Sequence, residues 1–181
     1  MYIVNLFEKI GKSSIWGHET GKKFRELILE EWKKRDDELL IIDLKGIEII
    51  DFSASSDLIC IPISRLSSEL LNKHIIIQNA EDEVRENINV ALERQEICCI
   101  NLKEDKTYEI LGKCSDGLKN IIYQLYTNKR AFDSRQLADL LDTTVQVINN
   151  RITILYKLGM VKRRIEDAPT GGKQYIYESI I

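Results

Sequence analysis

The spacing of apolar residues changes once along this chain, near residues 112–117, and that change restricts the architecture more than any other feature. Before it, short apolar runs alternate with amphipathic stretches. Residues 2–7 read as a strand; then Phe24, Leu27, Ile28 and Trp32 recur at helical spacing, with Trp32 expected in the core, and 39–44 read as a buried strand. A second strand at 47–50 follows the turn Lys45-Gly46. Residues 51–57 offer several helix caps before a pattern through Leu58, Ile59, Leu66, Leu70 and Leu71, in which Pro62 predicts a kink or a late start. A strand at 73–78, a helix carrying Val84, Ile88, Ala91 and Leu92, and strands at 98–102 and 107–111 complete the series. Such alternation means helices packed on a mixed or parallel sheet, an α/β domain over 1–111. Beyond the linker expected at 112–117, the pattern becomes three helices and a hairpin. Leu118, Ile121, Ile122 and Leu125 mark the first; Ser134 is read as the cap of the second and Thr144 of the third, which runs through Ile148, Ile152 and Leu155. Residues 161–165 and 174–177 alternate on either side of a tight loop at 167–172, so 118–181 reads as a small α+β domain ending in a β-hairpin.

Charge divides at the same place. Residues 1–112 hold 15 Lys and Arg against 22 Asp and Glu, net −7, whereas 113–181 hold 11 against 7, net +4, together giving the −3 of the whole. An acidic body with a basic appendage points the appendage alone toward an anionic partner. Apolar runs such as Leu39-Leu40-Ile41-Ile42 end after a few residues, far short of the roughly 20 that cross a bilayer. The first seven residues have neither a basic leader nor a small-residue cleavage site, so a cytoplasmic location is expected. Cysteines 60, 98, 99 and 114 show no Cys-x-x-Cys spacing, and His18 and His74 are the only histidines, which predicts buried structural thiols and no metal site.

The C-terminal part resembles the winged helix-turn-helix family through Gln-Leu-Ala-Asp-Leu-Leu at 136–141, Thr-Val-Gln-Val-Ile-Asn-Asn-Arg-Ile at 144–152 and Leu-Tyr-Lys-Leu-Gly-Met-Val-Lys at 155–162. The resemblance implies that the third helix enters the major groove of duplex DNA with Thr144 at its start and Gln146, Asn149, Asn150 and Thr153 outward, side chains whose amides and hydroxyls suit base edges. Arg151, Lys157, Lys162, Arg163, Arg164 and Lys173 would contact phosphates, although strand alternation turns some of the hairpin residues inward. A homodimer is expected, since one such helix reads only a short half-site. The same fold serves elsewhere as a protein-interaction module, in which case these charges are an ordinary solvated surface.

The N-terminal part resembles the STAS family, the sulphate transporter and anti-sigma factor antagonist domains, in its divergent branch. It does so through Thr-Gly-Lys-Lys-Phe-Arg at 20–25, the strand pair at 41–51 ending in Asp51, and the serine-rich turn at 53–57. In antagonists of that family a serine in this turn is phosphorylated to switch a protein partner, which would place the phosphosite at Ser53. Phe52 and Ala54 depart from the family's hydroxyl and glycine at their positions. The competing expectation is that Ser53 and its neighbours cap the following helix.

Convergent acid, base or nucleophile groups are not visible. Gly11-Lys12-Ser13 lacks the upstream glycine of a phosphate loop, and Asp43, Asp51 and Asp57 at strand ends read as turn and cap residues before they read as cation ligands. The sequence therefore predicts a non-catalytic regulator without a cofactor. Its DNA-binding unit is C-terminal and its regulatory or partner-binding unit N-terminal; a partner-switching scaffold is the alternative.

Overall fold

The computed structural model describes residues 1–168 and 171–181. Strand β1 (Tyr2–Asn5) is shorter than expected because the side chain of Asn5 accepts the Glu8 N–H at 2.9 Å and caps a short helix α1 (Leu6–Ile10), which Gly11 ends at φ +73°. The chain then forms β2 (Ser14–Ile15). Helix α2 (His18–Lys33) buries Ile28 and Trp32 on one face, and the indole N–H of Trp32 donates to the Asp37 carbonyl at 2.8 Å. All five residues of β3 (Leu39–Asp43) are buried, as a central parallel strand requires. The second strand shrinks to β4 (Ile49–Ile50), which pairs in parallel with β2 as a separate two-stranded sheet.

The helical segment after β4 is built in three pieces: α3 (Phe52–Ser55), a π-helical turn Ser56–Cys60, and α4 (Ile61–Glu69) with Pro62 in its first turn. Proline supplies no N–H and crowds the carbonyl four residues back. The wide turn just ahead of it, where the Ile61 N–H reaches the Ser56 carbonyl, is how the chain meets the kink that Pro62 demands. Strand β5 (His74–Gln78), helix α5 (Asp82–Arg94) and the hairpin of β6 (Cys98–Leu102) and β7 (Tyr108–Gly112) follow. The main sheet has the order β1-β3-β5-β6-β7, its first four strands parallel and β7 antiparallel. Each parallel step carries a helical crossover, which makes this unit a mixed α/β fold.

The chain divides into two compact units, Met1–Cys114 and Ser115–Ile181. The expected linker is consumed at both ends. Gly112 closes β7 at φ +88°, where a side chain would meet the Ile97 carbonyl at 2.2 Å, and Asp116-Gly117 already belong to helix α6 (Asp116–Asn128). Gly112 and Gly117 each serve close packing within their own unit. The second unit continues with β8 (Phe132–Asp133), α7 (Ser134–Leu140), α8 (Val145–Lys157) and the hairpin of β9 (Lys162–Asp167) and β10 (Lys173–Glu178). Its three strands form an antiparallel sheet in the order β8-β10-β9. Leu118, Ile121, Ile122, Leu125, Tyr126, Leu137, Ala138, Ile148, Ile152 and Leu155 are its buried side chains from the three helices. Of the hairpin loop expected at 167–172, Pro169 and Thr170 lie outside the described residues. Among the described residues no helix is long and apolar enough to cross a membrane.

Candidate nucleic-acid interface

Two capped helices build the surface. Asp133, and not Ser134, caps α7: its carboxylate accepts the N–H groups of Arg135 and Gln136 at 2.7 and 2.8 Å, while the Gln136 side chain accepts the Asp133 N–H at 3.0 Å. This reciprocal capping box fixes where α7 begins and leaves Ser134 as its first helical residue. After a turn in which the Thr143 N–H returns to the Ala138 carbonyl, the Thr144 hydroxyl accepts the Val147 N–H at 3.3 Å and caps α8. Thr144 is thereby engaged in shaping the helix start.

Helix α8 presents one face to the core through Ile148, Ile152 and Leu155, so Gln146, Asn149, Asn150 and Thr153 fall on the opposite, exposed side. Two bonds order that side. The Gln146 amide donates to the Asn150 carbonyl oxygen at 3.1 Å, and the Thr153 hydroxyl donates to the Asn149 main-chain carbonyl at 2.7 Å. Arg151 does not join them. Its guanidinium lies against Gly117 in the first turn of α6, so close that a side chain at 117 would meet it at 2.5 Å. The cause is angular: three residues beyond buried Ile148, Arg151 sits at the edge of the core face.

The hairpin cations are distributed unevenly. Arg163 lies over the Tyr156 ring at 4.0 Å and the Tyr175 ring at 4.3 Å, joining the end of α8 to β10. Arg164 pairs with Glu166 on its own strand and, at 4.0 Å, with Glu178 across the sheet. Lys162 stands opposite Glu178 in the strand register, whereas Lys173 and Lys157 are exposed. A groove of about 380 Å³ opens between Asp133–Arg135 and Val145 and Asn149 on one side, and Gln174, Tyr175 and Tyr177 on the other. Burial pushes the Tyr177 hydroxyl up from its ordinary range. The tyrosine bracket around Arg163 was missed in the sequence. Tyr156 and Tyr175 are 19 residues apart in sequence, and only the packing of β10 beside the end of α8 brings both rings to Arg163.

In the first unit the acids at strand ends are met by protein donors. Asp43 accepts from Asn79 at 2.8 Å, Asn5 at 3.3 Å and the Lys45 N–H at 3.1 Å. Asp51 caps α3 through the Ala54 N–H at 2.7 Å and also accepts the Gly17 N–H. The expectation that Ser53 caps is thus corrected: Asp51 has the extended backbone of a cap, and Ser53 lies one residue inside the helix, half-buried. Asp57 is buried with Arg25 at 2.7 Å and His18 at 2.5 Å, and Gly21 brings α2 against it, since a side chain there would meet Ala54 and Asp57 at 2.9 Å. Burial pushes the Cys60 thiol up to about 12 and Cys99 higher still. Among the described residues no three His, Cys, Asp or Glu side chains converge as a metal site would need.

Neither a family model nor a curated protein matches this chain. One solved structure that aligns is described as a possible transcriptional regulator from Methanosarcina mazei Go1, with 19% identity and a TM-score of 0.36 over 38% of this chain and 57% of that one.

Proposed function

We propose that the chain is a transcriptional regulator of the cytoplasm. In this reading the second unit is a winged helix-turn-helix that binds duplex DNA through α8, and the first is a STAS-like regulatory module. The observation that carries the proposal is the exposed face of α8. Gln146, Asn149, Asn150 and Thr153 share it, and the helix contains no acid that would repel phosphate. The second unit, Ser115–Ile181, holds 10 Lys and Arg against 7 Asp and Glu, and this +3 balance supplies the sequence-independent part of the affinity, with Lys157 and Lys173 among its exposed cations. The protein acts as a homodimer, because one α8 covers a single half-site. Ser53 is the position at which phosphate would switch a partner of the first unit, and no chemical step is assigned to either unit.

A specific observation favours one other reading, a scaffold whose second unit docks on protein. Val145, Ile154, Ile165 and Tyr175 are 41–58% exposed, and Arg164 is neutralised by its acidic neighbours. Titration of the full chain against duplex DNA at rising salt separates the two. The DNA reading expects log affinity to fall linearly with log salt, and Lys173→Ala to flatten that slope by about one unit. Absence of any salt-sensitive association at low ionic strength hands the second unit to the protein-docking reading.

A further inference from the structure

Resting on the DNA-binding reading, we infer that the half-site read by α8 is a run of A·T pairs. Three observations on the reading face converge. First, the bond from Gln146 to Asn150 couples the two amides, leaving the Gln146 carbonyl oxygen as acceptor and the Asn150 NH₂ as donor. Adenine offers the complement in the major groove, an N6 amino donor beside the N7 acceptor. Second, the Thr153 hydroxyl donates to the Asn149 main-chain carbonyl, so its proton is engaged within the helix and it brings a partner the γ-methyl and an acceptor oxygen. The thymine C5-methyl is the base group that rewards such contact.

Third, the turns of α8 from Gln146 to Thr153 expose none of the side chains that read the other base pair, and the exposed cations nearest to them, Arg135 on α7 and Lys157 at the helix end, lie outside those turns. Guanine is recognised by Arg or Lys, and cytosine by Asp or Glu. The one arginine of α8, Arg151, is turned onto Gly117 of α6. No acid occurs between Val145 and Lys157. Lys157 is the last residue of the helix, about 16 Å along the axis from Gln146, at the end that meets backbone while the N-terminal turns meet bases. Of the hairpin arginines, Arg163 is bracketed by two tyrosines and Arg164 by two glutamates. What the turns from Gln146 to Thr153 expose is amide, an acceptor oxygen and methyl, and the coupled amides with the methyl favour A·T.

Selection of the full chain against a random duplex library, at a salt concentration where non-specific association is lost, tests this directly. The enriched sites are expected to share an A·T core. On such a site Asn150→Ala should weaken binding about tenfold while leaving a G·C duplex of equal length unaffected. Replacing the core thymines by deoxyuridine, which removes only the methyl, should weaken wild type several-fold and Thr153→Ser hardly at all. Binding that persists with a G·C core, or without sequence preference, overturns the inference and leaves the DNA reading standing. Failure to bind any duplex at low salt removes that reading and the inference with it.

Discussion

At the scale of single residues, the helix after β4 shows how much one backbone angle decides. Residues 51–57 offer five side-chain oxygen groups, and chemistry alone favours none of them as the cap. Asp51 takes that role because its φ/ψ of −77° and 168° places its carboxylate over the Ala54 N–H, whereas Ser53 already has helical neighbours on both sides. Asp51→Ala is therefore expected to cost about 1–2 kcal/mol in urea denaturation, and Ser53→Ala under about 0.5 kcal/mol. If Ser53 also serves as the switch, Ser53→Asp should alter partner capture or elution volume without moving the urea midpoint. Similar reasoning applies to Arg151, which its residue type assigned to phosphate and its position on α8 assigned to the core edge. A second residue-scale expectation concerns acid. The Lys9 ammonium, and then the Tyr2 hydroxyl, hold the Glu31 carboxyl below its ordinary 4.5. A depressed folded value means that Glu31 contributes stability above that ordinary range and loses it as pH falls through the folded value. The gap in urea midpoint between wild type and Glu31→Gln should thus be present at neutral pH and close progressively below about pH 4.5.

At the scale of elements, what the sequence revealed was what repeats. Helices α2, α5, α6 and α8 span three or more turns and show their buried stripe in the order of residues; β3 and β5 declare themselves by unbroken apolar runs. The two-residue strands β2, β4 and β8 and the single-turn helix α1 are too short to establish any period, and they exist because tertiary partners complete them. Ile15 and Ile50, for example, are each fully buried and reach one another only through the β2–β4 pairing. The π-helical turn belongs with these: Pro62 announced a disturbance, but its form was set by packing. Helix α8 was legible down to its Thr144 cap. The α7 cap was displaced by one residue, because aspartate and serine cap about equally well and only the Gln136 reciprocity decides between Asp133 and Ser134. Asp133→Ala should accordingly lower the stability of the second unit by about 1 kcal/mol in circular dichroism melts.

At the scale of the whole molecule, the division into Met1–Cys114 and Ser115–Ile181 separates the charges as well as the folds, with an acidic first unit and a basic second one. It separates the chromophores too. Both tryptophans, 16 and 32, belong to the first unit, and the second holds tyrosines only. Trp32 is sealed in the core with the Lys73 ammonium 4.8 Å from its ring, so its emission must change when that unit opens. Excited at the red edge, the protein is consequently blind to the unfolding of the unit that would bind DNA. A duplex that binds only the second unit at about 100 times its dissociation constant stabilises that unit by about 2.7 kcal/mol. It moves the tryptophan-detected midpoint only to the extent that the two units are energetically linked. A regulator expects that midpoint to rise with added duplex; two independent units joined by chain alone would leave it where it was, and the light emitted by two side chains far in sequence from α8 becomes a direct measure of communication between the two units.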